Sequence, residues 1–206
     1  PLIQQRYPLL VTACKTVGSL QLRNRATIGG NIVNAAPCAD SMPPLIIYDA
    51  EVELRSARGT RRMPVSEFVV GGYRTLLEPD ELVVRFILPA PTQQPLINRY
   101  LQLGRRNALN ITRQSLTGQF MVDKGVVRLC RLVDGALMAK PQRLTEVEQA
   151  LTGKTLDAAT IDYAAGVLHD KVEKAIGGRW SAPYKVPVFI DMFRQMLQEV
   201  MTEQKK

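Results

Sequence analysis

Small and amide-bearing residues are concentrated in residues 23–43, RNRATIGGNIVNAAPCADSMP. The successive glycines Gly29 and Gly30 can adopt positive φ and expose consecutive backbone N–H groups as an anion-binding concavity. Thr27 and Asn31 flank the pair with a hydroxyl and an amide, which suit phosphate or sugar-alcohol oxygens. The stretch therefore predicts a cradle for a ligand.

Asp40 follows the small residues of this stretch and can accept hydrogen bonds from sugar-type hydroxyls or from a ring N–H. A glycine pair is also common in ordinary tight turns, so the pair alone does not establish a site. The stretch is not a dinucleotide-binding fingerprint, because GxGxxG between a strand and a helix is absent.

The net charge of +8 raises the question of nucleic-acid binding. Basic residues such as Arg55, Arg58 and Arg128 are scattered among acidic ones, with no basic helix and no aromatic stripe. We interpret Arg105 and Arg106 as surface residues, with contact to a partner subunit or to a cofactor phosphate as the alternative. The pattern favours solvated faces or an acidic protein partner over nucleic acid.

The length of 206 residues and the apolar content of 46% predict a folded chain of one large or two small domains. No apolar run approaches the roughly 20 residues that span a bilayer, and the N-terminus lacks a signal-peptide layout. We therefore expect no membrane segment and a cytoplasmic location. Because residue 1 is Pro rather than Met, we also expect a fragment or a processed piece of a longer subunit.

The thiols and the single imidazole indicate no metal or nucleophilic centre. Cys14, Cys38 and Cys130 are odd in number and widely spaced, so they predict reduced thiols rather than disulfides or a CxxC knuckle. His169 lies within a helical apolar pattern at a position typical of a helix surface, which argues against a catalytic histidine.

The elements of the N-terminal half follow from apolar spacing. Leu9, Ala13 and Cys14 recur at helical intervals, which predicts a helix over 9–17 ended by Gly18. Val52 and Leu54 alternate with charged residues before the turn ARGT, which predicts a hairpin. Residues 81–89, ELVVRFILP, predict a buried strand.

The C-terminal half follows a different plan after PAPTQQP (89–95), which predicts a linker. Residues 97–104 and 126–133 predict strands, and residues 111–122 fit a strand or a helix. Helices are predicted within 143–152, with Gly153 just past the end, and over about 157–175 and about 185–202. Met192, Met196 and the aromatic residues of the last helix fit core packing. Strands followed by helices indicate an α+β fold.

Residues 20–54 are similar to the second flavin-binding motif of the medium, FAD-binding subunit of the molybdenum hydroxylases, the family of xanthine and carbon monoxide dehydrogenases. The similarity continues through EPDELVVRFILP, YLQLGRRNALNIT and GALMAKPQR into the C-terminal helices. It implies that residues 1–90 are the second half of a two-subdomain FAD-binding domain. Residues 96–206 would form a small C-terminal domain of antiparallel strands packed with helices.

The resemblance implies roles for individual residues toward FAD. Asp40 corresponds to an acidic residue that hydrogen-bonds the cofactor, and Val17 to a hydrophobic residue near the flavin ring. Val83 resembles a backbone contact to the adenine end. We also expect Gln102 to bind the cofactor, and it stands where many relatives have Lys. The pyrophosphate and ribityl region is contacted in the family by the TIGGN residues and the asparagine beyond them, here Thr27, Ile28, Gly29, Gly30, Asn31 and Asn34.

The resemblance also implies a function in electron transfer. A molybdenum-containing large subunit oxidises the substrate, a [2Fe–2S] small subunit relays electrons, and FAD passes them to NAD or another acceptor. The family's first flavin motif, a Gly-rich segment, is absent from this sequence. We expect a missing N-terminal segment of the same subunit to complete the site; the alternatives are that another chain supplies the motif or that this form binds FAD weakly.

Three alternatives remain open at this point. The chain could be an assembly or scaffold subunit that has lost FAD. It could be a reductase of the peptidoglycan-precursor type, although such enzymes need a catalytic acid and lack this C-terminal domain. A nucleic-acid binder would require a salt-dependent affinity for DNA.

Overall fold

The computed structural model describes residues 2–91, 96–106 and 109–204. Within these ranges no helix is long and apolar enough to cross a bilayer. The predicted α+β class is confirmed, and each half has its own buried cluster of apolar side chains. The elements of the N-terminal half are α1 (Leu2–Arg6), α2 (Pro8–Thr16), α3 (Leu20–Arg23), α4 (Ile28–Asn34), α5 (Met42–Ile47), β1 (Glu51–Ser56), β2 (Gly59–Pro64), α6 (Val65–Phe68), β3 (Val69–Gly71), β4 (Arg74–Thr75) and β5 (Leu82–Ile87).

The predicted hairpin is confirmed as β1 and β2, and β1 also pairs with β5 to give the antiparallel order β2-β1-β5. Val52 and Leu54 are fully buried on the core face. Between them Glu53 projects to the opposite face, because side chains alternate along a strand. Its carboxylate accepts hydrogen bonds from Arg62 of β2 at 2.7 Å and Arg85 of β5 at 3.0 Å. The sheet therefore has an apolar face and a charged face.

Strand β5 differs from the prediction of a buried strand. Among the described strands it pairs with β1 alone and lies at an edge of the sheet. The side chains of Leu82 and Val84 are 74% and 49% exposed. Apolar and β-branched content predicts a strand but does not distinguish an edge from a central position, since β-propensity depends on context.

The C-terminal half contains β6 (Ile97–Leu103), β7 (Gln114–Asp123), β8 (Val126–Gly135), α7 (Thr145–Leu151), α8 (Ala158–Ile176) and α9 (Ala182–Glu203). The antiparallel sheet has the order β6-β7-β8, so the ambiguous segment 111–122 is mainly strand. Lys124 and Gly125, both at positive φ, turn β7 into β8.

The sheet of the C-terminal half is covered on both faces. One face packs against α7 and α9, with α8 packed against those two helices, and the other face contacts α2 and α5 of the N-terminal half. Phe189, Met192 and Met196 of α9 are buried in this core, which confirms the interpretation of the helix stripe. Asp157 is the N-cap of helix α8, and its carboxylate accepts a hydrogen bond from Thr160 N at 2.8 Å. His169 is exposed on α8, as predicted.

The two halves pack directly against each other. Val133 of β8 is buried in the core of the N-terminal half. Lys140 Nζ donates to the carbonyls of Ser66 and Val69 at 2.9 and 2.8 Å. Of the predicted linker 89–95, residues 92–95 lie outside the described residues.

Candidate functional site

The glycine-rich motif forms the first turn of helix α4. Thr27 is its N-cap, and the Thr27 hydroxyl accepts a hydrogen bond from Gly30 N at 2.9 Å. The N–H groups of Ile28 and Gly29 have no partner within the helix, because the first turn offers none. Free N–H groups and the positive end of the helix dipole favour a bound anion. The motif can therefore hold a phosphate group.

The prediction that the glycine pair adopts positive φ is wrong. Both glycines belong to α4, and neither has a positive φ. They contribute the absence of a side chain instead. A Cβ on Gly30 would lie 3.2 Å from Thr27 Oγ1, and a Cβ on Gly29 would reach Val83 Cγ1 at 4.0 Å. The backbone of Gly29 and Gly30, which has no side chain, thus lies between Thr27 and the edge strand β5. Val83 of β5 lies beside the motif.

The asparagines of the motif lie on the same face of α4 as Thr27, since residues separated by four and seven positions align on a helix. Asn31 Oδ1 accepts a hydrogen bond from Ser41 Oγ at 2.6 Å, which leaves its amide nitrogen available. Asn34 lies at the far end of the helix and is exposed. The polar groups therefore continue along the helix from its N-terminal end.

Asp40 lies where the two halves meet. The residue is 7% exposed. Oδ1 accepts from Thr112 Oγ1 at 2.6 Å, Tyr100 OH at 3.1 Å and Gln102 Nε2 at 3.3 Å, all in the C-terminal half. Burial raises the pKa of the Asp40 carboxyl, and these three hydrogen bonds act in the opposite direction. The predicted contact of Asp40 with a cofactor stays a prediction.

A cleft of about 650 Å³ opens between the end of α2 and the end of β6. Its volume is in the range of small-molecule sites. Gln102 lines the cleft, and so do Thr16 and Gly18, the sequence neighbours of Val17. Val17 O accepts from Arg23 Nη1 at 2.8 Å, which fixes the turn after α2. The cleft is lined by Lys15, Thr16, Gly18, Ser19, Leu20, Arg23, Gln102, Leu103, Gly104, Arg106, Leu109 and Asn110.

The structure arranges the predicted residues in two neighbouring groups. The TIGGN residues and Val83 form one group, and Asp40 and Gln102 form the other. The hydrogen bond from Ser41 to Asn31 connects them, because Ser41 follows Asp40 in the chain.

Several residues around the cleft were not predicted from the sequence. Lys15 and Arg23 line it, and the only signal for them was their basic character next to the motif. Arg106, interpreted as a surface residue, is exposed but also lines the cleft and donates to Leu109 O at 2.7 Å. Tyr100 and Thr112 contact Asp40 from a distant part of the chain, and no local pattern indicates that contact.

Family models match both halves of the chain. Residues 1–91 match the FAD binding domain in molybdopterin dehydrogenase. Residues 100–200 match the CO dehydrogenase flavoprotein C-terminal domain.

Individual relatives resemble the chain over most of its length. The nicotinate dehydrogenase FAD-subunit of Eubacterium barkeri is 30% identical over 210 residues, covering 98% of this chain and 70% of that protein. The xanthine dehydrogenase FAD-binding subunit of Escherichia coli O157:H7 is 29% identical, covering 96% and 68%. A carbon monoxide dehydrogenase structure from Hydrogenophaga pseudoflava superimposes with a TM-score of 0.85 at 29% identity, covering 95% of this chain and 67% of that one.

Proposed function

The chain belongs to the FAD-binding subunits of the molybdopterin dehydrogenase family, its cofactor is FAD, and we propose that it carries electrons from iron–sulfur clusters through FAD to NAD or another acceptor. The family consists of oxidoreductases. FAD supplies the redox chemistry when bound, and the protein binds, orients and shields it. The observation that carries the proposal is the N-terminus of α4, where Gly29 and Gly30 carry no side chain and the N–H groups of Ile28 and Gly29 have no partner within the helix.

The proposed binding roles follow from this placement. The exposed N–H groups at the start of α4, with Thr27 and Asn31, would hold the pyrophosphate, and Asn34 would contact the polyol chain beyond it. Val83 would contact the adenine end, since it lies against Gly29. The flavin ring would occupy the cleft near Val17 and Gln102.

The residues of the chain fit FAD in charge as well as in shape. Lys15, Arg23 and Arg106 line the cleft, and the described residues contribute no carboxylate to its lining. Cations on this wall would complement the overall negative charge of FAD. The side chains would bind and orient FAD, and no acid, base or nucleophile of the chain is needed for electron transfer.

We also propose the partners and the domain boundaries. A molybdenum-containing large subunit and a [2Fe–2S] small subunit would complete the complex, since several relatives are named as FAD-binding subunits or medium chains. The chain spans about two thirds of the length of those subunits. A further segment of the same subunit would complete the flavin site, with a FAD-binding domain over 1–90 and a C-terminal domain over 96–206.

An absorbance spectrum of the subunit purified with its partner subunits tests this function. We expect flavin bands in the complex and bleaching of those bands when NADH is added without oxygen. Bleaching by another donor but not by NADH would remove NAD from the proposal. A complex without flavin bands would contradict the proposal and favour a scaffold subunit.

A further inference from the structure

The Asp40 carboxylate connects the two halves, because three side chains of the C-terminal half donate hydrogen bonds to it. Tyr100 and Gln102 are two residues apart on β6, so their side chains project from the same face of the sheet. That face is turned toward the N-terminal half, where Asp40 accepts hydrogen bonds from both. Thr112, which is 4% exposed, provides the shortest of the hydrogen bonds to the carboxylate. Asp40 therefore constrains β6 and the segment before β7 together.

The directions of these hydrogen bonds determine how the Gln102 amide is turned. An ionised carboxylate only accepts hydrogen bonds, so the Thr112 hydroxyl donates its proton to Asp40. The Thr112 oxygen then accepts from Gln102 Nε2, which also donates to Asp40. The amide nitrogen thus has its acceptors within the protein. The amide oxygen is the polar atom that remains.

The remaining oxygen belongs to a residue that lines the 650 Å³ cleft. No hydrogen bond to Gln102 Oε1 is made by the described residues. If the amide were reversed, its oxygen would face the oxygens of Asp40 and Thr112, which is unfavourable. The network therefore selects one of the two amide orientations, as network analysis generally must for glutamine.

We propose that Asp40 and Thr112 are positioning residues that hold the Gln102 amide with its oxygen toward the cleft, where it accepts a hydrogen bond from an N–H of the flavin ring. The inference rests on the proposed placement of the ring in this cleft. The flavin ring has one N–H in its oxidised form, at N3. A neutral acceptor recognises that group without adding a charge to the site.

The proposal gives Asp40 a different role from direct contact with FAD. Asp40 is almost fully buried and is not among the residues that line the cleft, whereas Gln102 is. Its effect on FAD would pass through Gln102. A substitution at Asp40 or Thr112 should then change which groups of the ring are recognised, as well as the overall affinity.

The test compares FAD with an analogue methylated at N3, which cannot donate that hydrogen bond. Both are bound to the flavin-free complex, and their dissociation constants are measured from flavin fluorescence. We expect the wild type to bind the analogue about tenfold more weakly than FAD, the usual effect of one lost hydrogen bond. Gln102→Leu should bind both compounds equally.

Thr112→Val tests the positioning role, and Thr112→Ser is its matched control. We expect the preference for FAD to fall to about threefold or less in Thr112→Val, since the amide loses one of the two partners that fix it. Thr112→Ser keeps the hydroxyl and should keep the full preference. A purely structural role would weaken the binding of both compounds equally. If Thr112→Val does not fold, Asp40→Asn replaces it and should lower the preference in the same way.

The other outcomes are informative in different ways. A wild type that binds FAD but does not distinguish the analogue would overturn the assignment of Gln102. A full preference in Thr112→Val and in Asp40→Asn, with its loss in Gln102→Leu, would overturn the positioning role. A wild-type complex that binds no flavin at all would contradict the proposed function itself.

Discussion

Gly118 of β7 and Gly30 of α4 are both required to be small, for different reasons. A Cβ on Gly118 would lie 2.6 Å from Met196 Sδ and 2.6 Å from Phe120 Cε2, inside the core. A Cβ on Gly30 would approach only Thr27 Oγ1, at 3.2 Å, and the residue is exposed. The C-terminal half therefore uses glycine to let its layers pack closely. In the N-terminal half, by our proposal, glycine leaves backbone open for a ligand.

The buried aspartates of the two halves show the same contrast. Asp134 of β8 accepts from the backbone N–H groups of Met138 and Gln142 at 3.2 and 3.0 Å, and so fixes the loop that follows its own strand. Asp40 accepts only side-chain donors among the described residues, and all of them come from the other half. The first aspartate stabilises a local fold, whereas the second connects the two halves.

Asp134 provides the largest expected effect, on the pH dependence of stability. Burial raises the pKa of its carboxyl from 3.8 to about 7. The folded state binds this proton more tightly than the unfolded state does. The contribution of the Asp134 carboxyl to the free energy of unfolding therefore falls as the pH rises from about 4 to about 7, by up to about 4 kcal/mol. Asp134→Asn cannot titrate. The free energy of unfolding is measured by urea denaturation for wild type and for Asp134→Asn. The wild-type value minus the Asp134→Asn value should decrease over this pH range.

A difference between wild type and Asp134→Asn that is independent of pH would show that Asp134 titrates normally in the folded chain. The contrast between the two aspartates would then rest on geometry alone.

Gly118→Val tests the role of glycine in the core. The added side chain must displace Phe120 or Met196, and such overpacking costs about 1–3 kcal/mol. We expect a lower urea midpoint with unchanged FAD affinity under conditions in which the protein is folded. Selective loss of FAD from a stable Gly118→Val protein would break the distinction between the two glycine sites.

Gly166→Ala is the smallest expected change and serves as a matched control. Gly166 lies within α8, and a Cβ there would have no neighbour within 4 Å. Alanine is favoured over glycine inside a helix, so the variant should be stabilised by about 1 kcal/mol. FAD binding should not change. Destabilisation in thermal unfolding would reveal a contact that the structure does not show.

The helices and the hairpin could be predicted because their signals are local. Helix α8 has the expected apolar spacing and a capping aspartate, and the β1–β2 hairpin has alternating residues around a turn. The helical state of the TIGGN motif was missed because glycine is unfavourable in helices, although Thr27 is a good N-cap. The exposure of β5 was missed because strand order is a tertiary property.

The candidate site could be predicted only in part. The residues of α4 are continuous in sequence, so one motif indicated them together. The contact of Asp40 with Tyr100 and Thr112 joins residues 60 and 72 positions apart. It depends on the packing of two sheets and several helices, which no local pattern encodes. The cations around the cleft were visible in the sequence, but their position was not.

The affinity of Gly30→Val for FAD tests the central claim most directly, namely that the bare start of α4 binds the pyrophosphate. Wild type, Gly30→Val and Gly166→Ala are purified with the partner subunits, stripped of flavin and titrated with FAD. Loss of two hydrogen bonds to a charged group should lower the FAD affinity of Gly30→Val about 100-fold or more. The circular dichroism spectrum of Gly30→Val and the FAD affinity of Gly166→Ala should be the same as those of wild type. Binding of FAD by Gly30→Val with wild-type affinity would contradict the account.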